Sequence, residues 1–307
     1  MTQPSASGGV PSRLLLHSAM LFSTFLVSTS FTVGKAITPT LDPVILTLLR
    51  FILASLLFAP YVQYRFDLHF PGWRALGRYS LISGALVGFF WLMFLSLRIT
   101  EPMNTGVIFT TVPGISGIFS WFLVRERLGT HRLLALILAM TGALYVIFEG
   151  NLDRLLALQL NQGDLLFFAG CLLMALYMPM VKLFHRGEPM AQMSLWIMVT
   201  GTIWLLLFSL PRFASITWSA IPLMTWTGIA YLALFTTIIT FFISQWATLH
   251  LGPTRVMAYS YLYPPLLAVL EWVLHRRFPP ASTLTGICII LPAMFIVQQS
   301  RTGTKKS

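Results

Sequence analysis

The chain has 307 residues, of which 56% are hydrophobic and only 9% are charged, and its formal net charge is +11. Because a soluble globular domain carries roughly 25% charged residues, this composition excludes an ordinary soluble protein. The Lys and Arg residues lie in short loops between apolar stretches, which favours membrane topology over binding to nucleic acid. The two cysteines, Cys171 and Cys288, lie inside apolar stretches, so the sequence predicts no disulfide framework, no metal site and no cofactor.

Ten apolar stretches follow one another along the chain. They cover residues 14–36, 44–62, 79–98, 103–123, 131–149, 163–183, 190–210, 221–247, 252–274 and 281–299. Most have the roughly 20 residues that a helix needs to cross a hydrocarbon core about 30 Å thick. The sequence therefore predicts an all-α integral membrane protein with ten transmembrane helices. The first stretch lacks a clear signal-peptide cleavage site, so we expect it to stay attached.

Basic residues are divided unequally between the two sides of the predicted membrane. With the N-terminus inside, the cytoplasmic segments hold 13 Lys and Arg residues, the outer segments hold 6, and Arg50 lies within the second span. Cytoplasmic loops are enriched in basic residues, so both termini are predicted to be cytoplasmic. We expect a multi-pass protein of the inner, or cytoplasmic, membrane.

The second half of the chain repeats features of the first at a constant offset of 151 residues. The matched pairs are Pro102 and Pro253, Pro113 and Pro264, Trp121 and Trp272, Leu123 and Leu274, Arg125 and Arg276, Leu133 and Leu284, and Val146 and Val297. Chance is a poor explanation for two proline pairs, a tryptophan pair and an arginine pair at one constant offset. Since each half has an odd number of spans, residues 1–150 and 151–307 are predicted to be two inverted five-helix repeats, as in many secondary carriers.

Several of these residues resemble those of a known family. They are Arg50-Phe51, the run from Asn104 to Pro113, Arg125-Glu126-Arg127-Leu128, Gly142, Gly163-Asp164, and Gly252-Pro253 followed by Pro264. Their order and spacing resemble the ten-span EamA-type branch of the drug/metabolite transporter superfamily, over nearly the whole chain. The resemblance implies export or exchange of small metabolites, often amino acids, through a central cavity. It also implies that spans one, three, four, six, eight and nine line that cavity.

The fourth and ninth spans contain the predicted hinges. Pro113 and Pro264 each remove a backbone hydrogen bond, which predicts a hinge or a cavity-lining carbonyl, although membrane helices also accept proline for packing. In the ninth span, Tyr259 and Tyr263 share a helix face at the i, i+4 spacing. A buried tyrosine hydroxyl needs a partner, and a cavity holding a polar ligand would supply one.

Other polar and aromatic residues complete the predicted substrate-binding set. They are Asn104, Thr105 and Thr110 in the fourth span, Thr236 and Thr240 in the eighth, Trp91 in the third and Tyr177 in the sixth. Amide and hydroxyl groups can bind a charged solute without the cost of a permanent buried charge. Each has a structural alternative: Asn104 could cap its helix, the threonine stripe could mark close helix packing, and the aromatic rings could face lipid.

Charged residues inside spans are few. Arg50 in the second span and Glu271 near the outer end of the ninth could form a gate or a proton-coupled pair, or they could be structural. The six histidines are scattered singly, and no HExxH, GxSxG or P-loop spacing occurs, so we do not expect an enzyme. No filter sequence typical of a channel is evident.

The sequence therefore predicts a carrier that moves a small organic solute by alternating access. We expect the substrate to be an amino acid or a related zwitterion leaving the cytoplasm, because the family resemblance implies such substrates and the predicted cavity is polar, aromatic and nearly uncharged. The alternative is a hydrophobic or cationic drug held by cation–π contacts. The expected partners are that small-molecule substrate and the lipid bilayer, with the chain acting as a monomer or a weak homodimer.

Overall fold

The structure is a computed structural model that describes part of the chain. The backbone is described for residues 11–96, 99–100, 102–127, 129–157, 160–275 and 281–299. Within these ranges, the side chains of Lys35, Pro102, Met103, Asn104, Leu155, Ser215, Glu271, His275 and Ser282 lie outside the description. The described part is helical and contains no β-strand, in agreement with the predicted all-α class.

Fourteen α-helices follow in chain order within the described residues. They are α1 (Arg13–Ile37), α2 (Pro43–Phe66), α3 (Trp73–Ser96), α4 (Pro102–Phe109), α5 (Val112–Val124), α6 (Thr130–Ile147), α7 (Leu152–Leu156), α8 (Gln162–Phe184), α9 (Met190–Ser209), α10 (Leu223–Ala233), α11 (Thr240–Leu251), α12 (Pro253–Ala258), α13 (Tyr263–His275) and α14 (Ala281–Gln299). A π-helical segment, Leu234–Ile239, joins α10 to α11, and a 3-10 helix, Tyr259–Leu262, joins α12 to α13.

Eight helical segments are long and apolar enough to cross a bilayer. They are Arg13–Gly34, Pro43–Phe66, Trp73–Ser96, Thr105–Val124, Thr130–Ile147, Gln162–Phe184, Met190–Ala214 and Leu223–Leu251, and Thr283–Gln299 is a shorter apolar helix. The predicted ninth span, 252–274, is divided into α12, the 3-10 helix and α13. The described residues thus show eight spanning segments, the fourth of which is broken between α4 and α5, together with one shorter helix and the broken ninth segment, so ten transmembrane helices are not confirmed.

The repeat found in the sequence reappears in the helix boundaries. Helix α5 begins and ends 151 residues before α13, at 112 and 124 against 263 and 275. Helix α6 likewise begins 151 residues before α14, at 130 against 281. Pro113 and Pro264 are each the second residue of the helix after the break. In the first turn of a helix a backbone N–H has no intrahelical acceptor, so a proline there costs no hydrogen bond. These prolines therefore lie in the first turn of a new helix, whereas the sequence analysis had expected each to remove a hydrogen bond within a continuous helix.

Small residues let the helices that follow the two breaks pack closely. Helix α6 packs against α14, and a Cβ atom added at Gly286 would lie 3.0 Å from the carbonyl oxygen of Gly142 and 2.3 Å from Cγ2 of Val146. Ala139 on α6 and Ala293 on α14 are completely buried. Close backbone approach of this kind is a main source of stability between membrane helices.

Arg50 on α2 bonds to the π-helical segment. Its Nη2 donates to the carbonyl oxygen of Thr236 over 2.6 Å, and its Nε donates to Oγ1 of Thr237. A π-helical turn displaces backbone groups from the regular α-helical ladder, and such groups need partners inside protein when lipid surrounds the helix. The guanidinium of Arg50 therefore stabilises an irregular turn between α10 and α11.

We expect Gly286→Val to weaken the contact between α6 and α14. The added methyl groups would collide with backbone and with Val146, and such overpacking costs about 1–3 kcal/mol. The measurement is thermal unfolding of the purified protein in detergent. Gly77→Val on α3 is the matched control, because a Cβ atom there meets nothing within 4 Å. Equal melting temperatures for the two variants would contradict the close contact.

We also expect Thr237→Val to destabilise the protein. The change keeps the side-chain shape but removes the acceptor of Arg50 Nε, and a buried donor left unpaired costs about 1–3 kcal/mol. Thr227→Val on α10 makes the same change at an exposed position whose hydroxyl donates to Met224. The two variants should differ in thermal unfolding, and a Thr237→Val protein as stable as Thr227→Val would show that the contact contributes nothing.

Candidate functional site

The six spans implied to line a cavity pack together as one group. In the structure these spans are α1, α3, the α4–α5 pair, α8, the α10–α11 pair and the α12–α13 pair. Helix α8 packs against α3, α4, α5, α11 and α12, while α1 packs against α10, α11 and α13. The breaks in the fourth and ninth spans therefore lie within the group of helices expected to hold the substrate.

Threonine hydroxyls at the break in the fourth span bond two carbonyls that also accept the backbone N–H groups of the same threonines. Thr110 Oγ1 donates to the carbonyl of Val107 over 2.6 Å, and Thr111 Oγ1 donates to that of Ile108 over 2.7 Å. Thr105 is buried one helical turn earlier. Thr110 can therefore offer a solute its oxygen lone pairs, while its proton is used locally. The backbone of Asn104 lies in α4, but its side chain is outside the described residues.

The two predicted tyrosines of the ninth span contact the first half of the chain. The hydroxyl of Tyr259 lies 2.7 Å from Nδ1 of His17 on α1. The ring of Tyr263 lies 6.0 Å from that of Phe31 on α1 and 6.4 Å from that of Phe109 on α4. Tyr263 thus sits where the two halves meet, beside the break in the fourth span.

The predicted shared face of Tyr259 and Tyr263 assumed a continuous α-helix, and this assumption is wrong. Tyr259 opens the 3-10 helix and Tyr263 opens α13. A 3-10 helix has three residues per turn, so residues four apart do not align along it as they do in an α-helix. The two rings consequently contact different parts of α1.

A buried polar network joins α8, α9 and α11. Nε2 of Gln245 donates to the hydroxyl of Tyr177 over 2.7 Å, and Ser194 Oγ donates to Oε1 of Gln245 over 2.6 Å. All three side chains are buried. The hydroxyl group of Tyr177 donates no hydrogen bond within the described part of the chain. It could therefore donate one to a bound solute. Sequence analysis predicted Tyr177 but missed Gln245 and Ser194, although an amide inside an apolar span is a signal for such a network.

Three further predicted residues make local structural contacts. Thr236 Oγ1 donates to the carbonyl of Leu232 over 3.0 Å, and Thr240 Oγ1 donates to that of Thr236 over 2.9 Å. The ring of Trp91 on α3 stacks on Phe208 of α9, with centroids 5.0 Å apart and planes inclined by 9°. The threonine contacts agree with the alternative that these residues serve helix packing. The stack on Phe208 covers one face of the Trp91 ring and leaves the other face for a further contact. The side chain of Glu271 lies outside the described residues.

Glu126 links the two halves at the end of α5. Nη1 of Arg132 donates to its Oε1 over 3.3 Å, and Thr254 Oγ1 on α12 donates to its Oε2 over 3.2 Å. A Cβ atom at Gly252, which has a φ of +94°, would lie 2.8 Å from Oε1. Sequence analysis quoted Glu126 as part of a motif without a role. The structure shows it to be a buried carboxylate shared between the first and second halves.

Surface depressions occur at the end of α5. They are lined by Ile118, Trp121, Phe122, Arg125, Arg127 and Leu133. None of these residues belongs to the predicted substrate-binding set, and most of the large apolar ones are exposed. This surface is typical of a helix end that faces lipid.

Relatives and a solved structure are similar to the chain over most of its length. The uncharacterized transporter YyaM of Bacillus subtilis (strain 168) is 23% identical to it over 67% of this chain and 68% of its own length. The uncharacterized transporter YetK of the same strain is also 23% identical, over 88% of this chain and 83% of its own length. An uncharacterized transporter of Archaeoglobus fulgidus is 24% identical over 83% of this chain and 88% of its own. A crystal structure of another protein shares the fold, with a TM-score of 0.76 and 18% identity over 93% of this chain and 98% of that one.

The model of the EamA-like transporter family matches the chain twice, at residues 15–148 and again at 161–298. Together the two matches account for nearly all of the apolar helices, which confirms the resemblance found in the sequence. With eight apolar helices of spanning length in its described part, the chain is a multi-pass membrane protein. It belongs to the EamA-like transporter family.

Proposed function

We propose that this protein is a secondary transporter that exports or exchanges a small organic solute, most simply an amino acid, by alternating access. In this proposal ten segments cross the cytoplasmic membrane as two inverted five-helix repeats, 1–150 and 151–307, with both termini in the cytoplasm. The breaks after α4 and before α13, spaced by the same 151 residues as the sequence repeat, are the observation that carries it. Paired broken helices at the interface of two repeats are the usual position of a carrier's binding site.

The breaks supply both polar groups and mobility. Irregular backbone at membrane depth is tolerated where protein or a water-filled cavity surrounds it. The segments from Thr110 to Pro113 and from Tyr259 to Pro264 are such places, one in each half. Changes of backbone torsion there would let one repeat rock against the other around a solute, so Pro113 and Pro264 remain our candidate hinge residues.

Polar and aromatic side chains at the candidate site support the choice of a zwitterionic solute. Tyr177 has a hydroxyl proton to donate, Thr110 has oxygen lone pairs to accept, and Tyr263 presents an aromatic ring between Phe31 and Phe109. Hydroxyl groups can bind both an ammonium and a carboxylate group. The aromatic rings would pack against an apolar or aromatic side chain of the solute.

The first test is uptake of a labelled amino acid panel by proteoliposomes, with and without a pH gradient. We expect saturable uptake by the wild type, and at least about a tenfold loss of kcat/KM for Tyr263→Ala, because a lost contact of 1.4 kcal/mol corresponds to a factor of ten. Tyr64→Ala is the matched control, since Tyr64 on α2 is 92% exposed. No saturable uptake of any amino acid by the wild type would overturn the substrate assignment.

A second test concerns the polar network. Gln245→Leu removes a donor to Tyr177 and an acceptor for Ser194, both buried, so we expect about 1–3 kcal/mol of destabilisation and a raised KM. Gln63→Leu on α2, an exposed glutamine, is the control. Thermal unfolding and uptake are measured together, and a Gln245→Leu protein with the stability and KM of the control would exclude a role for the network.

A further inference from the structure

We propose that Arg255 is the anion-recognition residue of this transporter and that it binds the carboxylate group of the transported solute. The identity of that solute rests on the proposed function, whereas the anion site rests on Arg255 and the groups around it. Arg255 lies in α12, at the start of the broken ninth span. Nothing in the sequence repeat singles it out, because the counterpart 151 residues earlier is the uncharged Asn104.

The side chain of Arg255 is buried and makes no hydrogen bond to any other described residue. Only 7% of its surface is exposed, and its Nε is buried with no acceptor among the described residues. Neither an ion pair nor another hydrogen bond of its side chain is found in that part of the chain. Taking a charged group out of water costs several kcal/mol unless an opposite charge and hydrogen bonds replace the water. An anion bound there would remove most of that cost.

The charges around Arg255 leave a net positive site. Among the described residues, Arg132, Glu126 and Arg13 are charged groups near its guanidinium. Glu126, the one acid among them, already accepts from Arg132 over 3.3 Å and from Thr254 over 3.2 Å. Among these described groups, the single carboxylate of Glu126 is bonded to Arg132, Arg255 is a second buried guanidinium, and the exposed Arg13 adds a third positive charge. The field at this site favours an anion.

Gln298 offers a hydrogen-bond acceptor for the ammonium group of a zwitterion. Nε2 of Gln298 on α14 donates to the backbone carbonyl of Arg255 over 3.2 Å, which fixes the orientation of the amide, since a carbonyl can only accept. Its Oε1 is then buried without a donor among the described residues. Within the described residues, Arg255 Nε and Gln298 Oε1 thus have no partner, and the bond from Gln298 Nε2 to the backbone carbonyl of Arg255 joins the two residues. A carboxylate bound to Arg255 and an ammonium bound to Gln298 would satisfy both.

The position of Arg255 connects this subsite to the predicted substrate pathway. Tyr259, four residues further along, lies 2.7 Å from His17 and opens the break of the ninth span. The charge of Arg255 also acts on His17. A planar guanidinium can bind a carboxylate through two parallel hydrogen bonds, which a lysine ammonium cannot reproduce. A solute captured by Arg255 would therefore enter the bundle with its carboxylate already oriented.

The test compares matched ligands that differ at the carboxylate. Binding of an amino acid and of its carboxamide is measured in detergent by ligand-induced thermal stabilisation, for wild type, Arg255→Gln, Arg255→Lys and the exposed control Arg74→Gln. We expect Arg255→Gln and Arg255→Lys to lose at least about tenfold in affinity for the amino acid and to bind the carboxamide as the wild type does. Equal amino-acid affinity for Arg255→Gln and wild type, or equal losses for both ligands, would overturn the proposal.

Two further measurements separate this proposal from its alternatives. Without ligand, Arg255→Gln should unfold at the wild-type temperature or above it, because the change removes an uncompensated buried charge; a large decrease would mean that Arg255 is structural. Propionate, a monocarboxylate without an ammonium group, should stabilise the wild type but not Arg255→Gln. If propionate stabilises only the wild type while no amino acid binds it, the anion site is supported and the assignment of an amino acid as substrate is wrong. If propionate stabilises both proteins equally, the anion site fails.

Discussion

The fold depends on one constraint, which is that a backbone polar group surrounded by lipid must find its partner inside the protein. Regular helices meet this constraint without help, and they make up most of the described chain. The departures from regular helix need side chains to complete the hydrogen bonding. Thr110 and Thr111 serve the break between α4 and α5, while Arg50 serves the π-helical turn between α10 and α11. At these two irregular segments, side-chain donors thus add hydrogen bonds to the backbone.

The same constraint explains which features could be predicted from sequence. Spans follow from length and hydropathy, and the two breaks follow from Pro113 and Pro264 in register. The exact form of a break does not follow, because a proline fits both a kinked helix and the first turn of a new one. This ambiguity led to the wrong geometry for Tyr259 and Tyr263, which depends on a 3-10 turn that no single residue type signals.

Long-range polar contacts were the least predictable part of the candidate site. Tyr177 and Gln245 are 68 residues apart, and Glu126 and Thr254 are 128 apart, so each pair is joined by packing of distant helices. A polar residue in an apolar span indicates that some partner exists, but the span contains no information on which helix supplies it. Without that partner, the sequence could not separate a structural hydroxyl such as that of Thr240 from one open to a solute.

The two repeats differ in charge at the matched positions 104 and 255. Position 104 carries a neutral amide and position 255 carries a guanidinium, and in the predicted topology the first lies at the outer side and the second at the cytoplasmic side. A perfectly symmetric carrier would bind its solute equally from both sides. With a cation at one end only, an anionic group is favoured on the cytoplasmic side and meets a neutral amide on the other. In the proposed mechanism this asymmetry would make the affinity for an anionic group differ between the two sides, while the gradients across the membrane would set the direction of net transport.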